Sequence, residues 1–436
     1  MRSWVLNRHC KVGSDENLIP LIRFNNFKED WNVVTFGEVF SYFGNNSFSR
    51  EKLNYHDGKV FNVHYGDIHT KFPSKIDLSV LELPFVNPDI DLSRIRDENY
   101  CRVGDIIIAD ASEDYNDLGK TVEIINLNGN KLLAGLHTYL ARQKNTSLEL
   151  GFSSYLMQTK RVKKQIKVLS NGTKVYGIPK KSLSEISLVF PETMDEQKMI
   201  VSFLKAVDSK IEKLTRKKEL LEEYKKGVVQ KLFSGEIRFK DENGNDFPDW
   251  EFRKLKDVLT EHKLKSTQNE KVFSVSVHKG LINQIEHLGR SFSAKNTDNY
   301  NLVKPNDIVY TKSPTGDFPY GIIKQSKVNK NVIVSPLYGV FTPETKFLGY
   351  FLNVFFESKV NVHNYLHSII QKGAKNTINI KNETFLSKSL FLPVSLIEQE
   401  KIGTFLMHID KKIEVLSIKL DKYIEFKKGL LQQMFV

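Results

Sequence analysis

Cysteine is almost missing from this chain. Two residues in 436, Cys10 and Cys101, cannot staple a protein of this size, so a disulfide-dense secreted scaffold is excluded and a reducing cytoplasm is the expected setting. Long apolar runs are missing too. No stretch reaches the ~18 residues that a membrane-spanning helix needs. The opening MRSWVLNRHCKVGSDENLIP lacks the continuous apolar core of a signal peptide, and residues 1–17 are expected to form a poorly ordered extension.

Catalytic signatures are equally scarce. Gly119-Lys120-Thr121 ends like a phosphate-binding loop, but Asp114 stands where that loop needs its first glycine. Asn87-Pro88-Asp89 is not the Asn-Pro-Pro-aromatic signature of an amino-methyltransferase. Neither Pro88-Asp89 nor Pro248-Asp249 is followed by a nuclease-type acidic-x-Lys at proper spacing. No G-x-G-x-G run offers a nucleotide or adenosylmethionine site. His64, His69, His137, His363 and His367 are scattered; the last two stand at i, i+4 without a third ligand, so no metal site is expected. The chain is expected to be non-catalytic by itself.

What the chain has in quantity is charge, at 27% of residues with a net +12 and a pI near 9.2. That excess points to a polyanionic partner, nucleic acid or an acidic membrane surface, with generic solubility charge as the plain alternative. It also has a repeat. Shifted by 202, Phe190–Phe233 aligns with Leu392–Phe435 without a gap, and 18 of 44 positions are identical. Ile200, Leu204, Val207, Ile211, Leu214 and Leu221 keep a 4-3 apolar spacing, as do Ile402, Leu406, Ile409, Ile413, Leu416 and Leu420. Lys218, Lys225 and Lys427 interrupt it. The seam predicts two long helices forming a coiled coil.

A second similarity precedes each helix: LIRFNNFKEDW (Leu21–Trp31) and EIRFKDENGNDFPDW (Glu236–Trp250). The offset is 219 at Trp31/Trp250 and 202 at Asp105/Asp307, so the first head carries about 17 more residues in its front half. The order is head, helix, short linker, head, helix, which requires the helices to run antiparallel with a pseudo-twofold between two similar heads. The predicted fold class is α+β. The expected boundaries are an extension at 1–17, a first head at 18–190, a spacer helix at 191–235, linker and second head at 236–393, and a second spacer helix at 394–436. Strands are predicted at Asp105–Ala109, Thr121–Leu127, Lys271–Val277 and Ile308–Thr311, and helices at Phe347–Val360 and Ser153–Lys160.

Residues able to meet DNA cluster in both heads. In the first they are Lys160, Arg161, Lys163 and Lys164, followed by the loop Asn171, Gly172, Thr173 and Lys174. In the second they are Gln371, Lys372, Gly373, Lys375 and Asn376, with Lys312 apart from them. Glycine lets backbone approach phosphate and lysine neutralises it, while Arg, Asn, Gln and Lys carry the groups that read base edges. Each loop taken alone reads equally as a solvated basic turn. Asn45, Asn46, Arg50, Lys71, His278, Lys279 and Arg290 are weaker candidates. A two-headed scaffold binding proteins rather than DNA remains the competing class.

The repeated frame resembles the DNA-specificity subunit of bacterial type I restriction-modification systems, from about residue 18 onward. The resemblance rests on R-F-x(n)-W entering each head, the Gly/Asn-Asp-Ile strand and the Gly-Thr-Lys and Gly-Ala-Lys loops. It rests also on P-x(4)-E-Q…F-L…D-x-K-I-E at each helix start, and on the Lys-Lys-Gly-containing helix end. It implies two target-recognition domains, each reading half of a bipartite, asymmetric DNA sequence, with the helices spacing the halves. It implies two methyltransferase subunits that bind S-adenosylmethionine and methylate a flipped adenine, and two restriction-translocase subunits that use ATP with Mg2+.

Overall fold

The computed structural model describes residues 6–8, 18–172, 175–267, 269–288, 297–372 and 378–436. It contains two compact units, one formed by residues 1–215 with 419–436 and the other by residues 216–418. Each unit therefore holds one head together with an end of each long helix. Of the expected N-terminal extension only Leu6–Arg8 are described, and they pair antiparallel with Ile22–Phe24.

The same four-stranded frame recurs in both heads. In the first, the strand order is Phe40–Phe43, Thr138–Gln143, Ile106–Ala109, Thr121–Asn126; in the second it is Leu259–Glu261, Gly339–Pro343, Ile308–Tyr310, Ile323–Gln325. All pairings within these two sets are antiparallel. The central strands are unbroken isoleucine-, valine- and tyrosine-rich runs, as expected of strands covered on both faces. A buried aspartate precedes each central strand. Arg142 grips Asp105 at 2.7 and 2.8 Å, whereas Asp307 accepts from Thr342 Oγ1 at 2.8 Å and lies 2.8 Å from His262 Nε2. The second head sets a hairpin, Phe273–Ser276 with Gly280–Asn283, beside Val332–Val334; the first head's longer front half builds more. It adds Lys75–Asp77 as a fifth, parallel strand and three of the strands in the separate sheet Lys131–Ala134, Val60–Val63, Phe85–Val86, Leu53–Asn54. In both heads the entering and leaving strands zip together, Asn32–Thr35 with Ser187–Phe190 and Glu251–Lys254 with Ser389–Leu392.

The long helices run Met194–Phe233 and Leu396–Gln433. Acidic residues occupy the first turn of each, where the helix dipole favours negative charge. Gly235, at φ +74°, ends the first in a left-handed turn open to glycine. In the first unit Ile200, Leu204 and Val207 meet Leu430, Leu431, Met434 and Phe435 in the core of the head. The Phe435 ring lies 5.9 Å from Trp31, edge to face. In the second unit Leu232, Ile402 and Leu406 fill the equivalent core, with Phe233 packed 4.7 Å from Phe351. Leu214 and Ile409 are buried; Ile211, Leu221, Ile413, Leu416 and Leu420 are half-buried.

Two helices differ from expectation. The stretch expected as Ser153–Lys160 is a short helix Phe152–Leu156 followed by a new one, Lys160–Leu169. The stretch expected as Phe347–Val360 is Lys346–Phe355 followed by Lys359–Leu366. In each case a hydroxyl residue restarts the helix: Thr159 Oγ1 accepts from Val162 N–H, and Ser358 Oγ from Asn361 N–H.

Candidate nucleic-acid interface

Lys160–Leu169, KRVKKQIKVL, is the most basic helix outside the two long ones. Val162 and Ile166 face the core, and that leaves Lys160, Arg161, Lys163 and Lys164 exposed on one helix. A hairpin follows immediately. The backbones of Asn171 and Gly177 exchange hydrogen bonds of 3.0 and 2.8 Å, and Tyr176–Gly177 pair with Ala111–Ser112. Gly172 has φ +125°, and a Cβ there would sit 2.0 Å from the carbonyl oxygen of Val175, so only glycine fits. Gly172→Ala should speed amide exchange at Asn171 and Gly177 about tenfold or more while the melting temperature barely moves; strain at one such position is of order 1–3 kcal/mol and is confined to the hairpin. Unchanged exchange would contradict the geometry. Thr173 and Lys174 lie outside the described residues.

The second head has a hairpin in the matching place, with Gln371–Lys372 paired to Ile378–Asn379. Gly373, Lys375 and Asn376 lie outside the described residues, as does Arg290. The helix before it, Lys359–Leu366, is not basic; Lys359 pairs with Asp317, and His363 stacks on His367 at 4.9 Å. The two heads thus present different chemistry on equivalent frames.

Most of the other candidates are engaged by neighbours of their own. Lys312 is half-buried in a left-handed turn, at φ +51°, and burial, only partly offset by Glu261, pulls its amine below the usual lysine range. Asn45 and Asn46 donate to backbone carbonyls of 134, 135 and 138. Arg50 grips Asp67 at 2.6 Å, and Lys71 bonds Tyr55. His278 and Lys279 are exposed on the turn after Phe273–Ser276. Near the basic helix the sequence reading passed over Tyr115, 40% exposed, with Lys167 Nζ 5.2 Å above its ring. It also passed over Val168 and Val175, 74% and 55% exposed.

The repeated motifs take up other roles. Glu196 and Glu398, the acids of the Glu-Gln motif at each helix start, are buried. Arg23 Nε and Nη2 hold Glu196 at 2.7 and 2.8 Å, and Arg238 holds Glu398 at 3.1 and 2.9 Å. The Ile-Arg-Phe motif and the Glu-Gln motif are thus the two halves of one clamp. Gln197 and Gln399 tie the same corner, donating to the carbonyls of Pro191 and Pro393. A groove of about 1190 Å³ in the second unit is lined by Lys225, Lys324, Lys327, Tyr350, Glu357 and Asp410, among others. Its lysines are neutralised by its own carboxylates. Among the described residues no group of three or more His, Cys, Asp or Glu could hold a metal ion, and no helix is long and apolar enough to cross a membrane.

Fold and surface define a class: mixed helix-strand heads on one repeated frame, each joined to a long helix, one of them presenting an exposed basic helix. Residues 28–223 match the family described as Type I restriction modification DNA specificity domain. The resemblance read from the motifs is thereby borne out. Two Methanocaldococcus jannaschii proteins are similar over shorter stretches. One is the type I restriction enzyme MjaVIII specificity subunit, 31% identical over 123 residues, which are 27% of this chain and 28% of that protein. The other, provisionally named the type I restriction enzyme MjaX specificity subunit, is 38% identical over 79 residues, 18% of each chain. The chain thus spans well under a third of the length of these relatives. The crystal structure of a type I restriction-modification S subunit from M. genitalium shares the fold over 96% of this chain and 99% of its own, with a TM-score of 0.57 at 14% identity.

Proposed function

We propose that this chain is the sequence-reading, non-catalytic subunit of a type I restriction-modification complex. It reads a two-part, asymmetric DNA site, one half with each head, while the long helices form an antiparallel spacer with a pseudo-twofold. Partner subunits carry the chemistry: two methyltransferases that take S-adenosylmethionine to adenine, and two restriction-translocase subunits that take ATP with Mg2+. The observation that carries this reading is the contrast between the heads. Frame, clamp and hairpin recur, yet the helix before the hairpin begins KRVKKQ in one head and KVNVHN in the other. Equivalent scaffolds with unlike surfaces suit two half-sites of unlike sequence.

The test is methylome sequencing of a host expressing this chain with its methyltransferase partner. Replacing residues 251–392 by the same segment of another such subunit should change one half of the methylated sequence and leave the other intact. Alteration of both halves, or methylation without any two-part sequence, would refute the two-reader arrangement. The purified chain alone should transfer no methyl group.

A further inference from the structure

Two aspartates beside the apolar seam do more than decorate it. In the first unit Asp208, on the first long helix, accepts from the Tyr155 hydroxyl of the head at 2.7 Å. Its other oxygen lies 2.7 Å from Lys427 Nζ on the second long helix. Lys75 closes the group, 3.7 Å from the carboxylate and 3.5 Å above the Tyr155 ring. One carboxylate therefore touches a head and both helices.

The second unit repeats the construction with the helices exchanging parts. Asp410 is on the second helix, Lys225 reaches it from the first at 2.8 Å, and the Tyr350 hydroxyl of the head donates to it. Lys327 stands 3.9 Å from that carboxylate and 5.0 Å above the Tyr350 ring. Asp208 and Lys225 are 17 residues apart on one helix, and Asp410 and Lys427 are 17 apart on the other, so both pairs satisfy a single antiparallel register. Lys225 and Lys427 are two of the three residues that break the apolar seam. A polar residue at such a position fixes register at some cost in stability.

These are not loose surface pairs, since the aspartate and long-helix lysine side chains are only 17–30% exposed. Burial together with the hydrogen bond to Asp208 pushes the Tyr155 hydroxyl far above its ordinary range, so it remains a donor; burial and Asp410 do the same to Tyr350. Burial pulls the Lys225 amine down, but Glu357 and Asp410 outweigh it and hold the charge. Apolar packing between head and helices has no preferred direction, whereas charge-assisted hydrogen bonds do.

We propose that Asp208 and Asp410 are positioning residues that fix the angle at which each head leaves the helices, and so restrict how many base pairs separate the two half-sites. This rests on the DNA-reading function proposed above. The experiment uses the chain in complex with its methyltransferase partner, with methylated sites sequenced for wild type, Asp208→Asn, Tyr155→Phe and the reversed pair Asp208→Lys with Lys427→Asp. Asp208→Asn should leave both half-site sequences unchanged but raise methylation at sites one base pair too long or short about tenfold, the discrimination that ~1.4 kcal/mol sustains. The reversed pair should fail to restore strict spacing, because it re-forms only the bond between the helices, leaves the Tyr155 hydroxyl without its carboxylate and sets a second cation against Lys75. A variant that methylates with wild-type strictness would overturn the proposal. Spin labels at Asp89→Cys and Lys213→Cys, both exposed and both in the first unit, give a readout free of DNA. Their distance distribution should broaden in Asp208→Asn, or in Tyr155→Phe if the former does not fold, and an unbroadened distribution would equally overturn it. A wild-type complex that methylates no two-part site would sink the DNA-reading function instead, leaving the labels to decide the joint.

Discussion

Removing the four exposed cations of the basic helix, as Lys160→Ala, Arg161→Ala, Lys163→Ala and Lys164→Ala together, should weaken binding to duplex DNA about a hundredfold or more at moderate salt. Each phosphate neutralised contributes roughly 0.9 to the slope of log affinity against log salt, so the slope should fall by about 3 to 4. The loss should be nearly equal for specific and unrelated sequences, because phosphate contacts position a protein without reading bases. Stability should hardly change, since all four side chains are exposed and Val162 and Ile166 still anchor the helix. A titration across salt concentrations checks this. An unchanged slope would remove the helix from the interface, and salt-independent binding by the wild type would favour the protein-binding scaffold.

Arg23→Ala is the substitution expected to cost most stability. It leaves the Glu196 carboxylate, only 1% exposed, without its cation, and stranding one member of a buried pair costs about 3–5 kcal/mol. That is a large share of the 5–15 kcal/mol by which a domain is folded. Trp31 Nε1, 3.4 Å from the same carboxylate, is too distant to replace two bonds below 3 Å. Arg238→Ala should cost less, because the Arg238 side chain is 22% exposed against 2% for Arg23 and water can reach the carboxylate it vacates. Denaturant melts of the two variants beside wild type settle the order. Equal, small losses would mean that neither clamp matters to folding.

The clamp also marks where sequence reading stops. Periodicity reveals a local pattern, so the seams of the long helices and the strands at Ile106–Ala109, Thr121–Asn126 and Ile308–Tyr310 were legible from spacing and residue type. The Arg23–Glu196 contact spans 173 positions, and no spacing rule reaches that far. The recurrence of both motifs in both halves was the one available signal. Lys225 and Lys427 read as faults in a heptad because a linear pattern cannot show the carboxylate opposite. The split helices were missed because Thr159 and Ser358 sit inside otherwise helical stretches, and a hydroxyl there caps or merely decorates depending on the backbone around it. In the candidate interface the exposed lysines of the basic helix were legible from charge, whereas the hydrogen bonds that occupy Asn45, Asn46 and Arg50 depended on tertiary partners.

The packing of Phe435 against Trp31 and Phe152 has a consequence for biosynthesis. The ribosome delivers the first head early, yet the aromatic ring that closes its core, Phe435, emerges about 240 residues after the long helix begins. Until then the nascent head keeps an open apolar slot, a ready target for chaperones or for the second long helix of a neighbouring nascent chain. Folding order along the polypeptide is thus reversed at this one seam, and the first head is finished last.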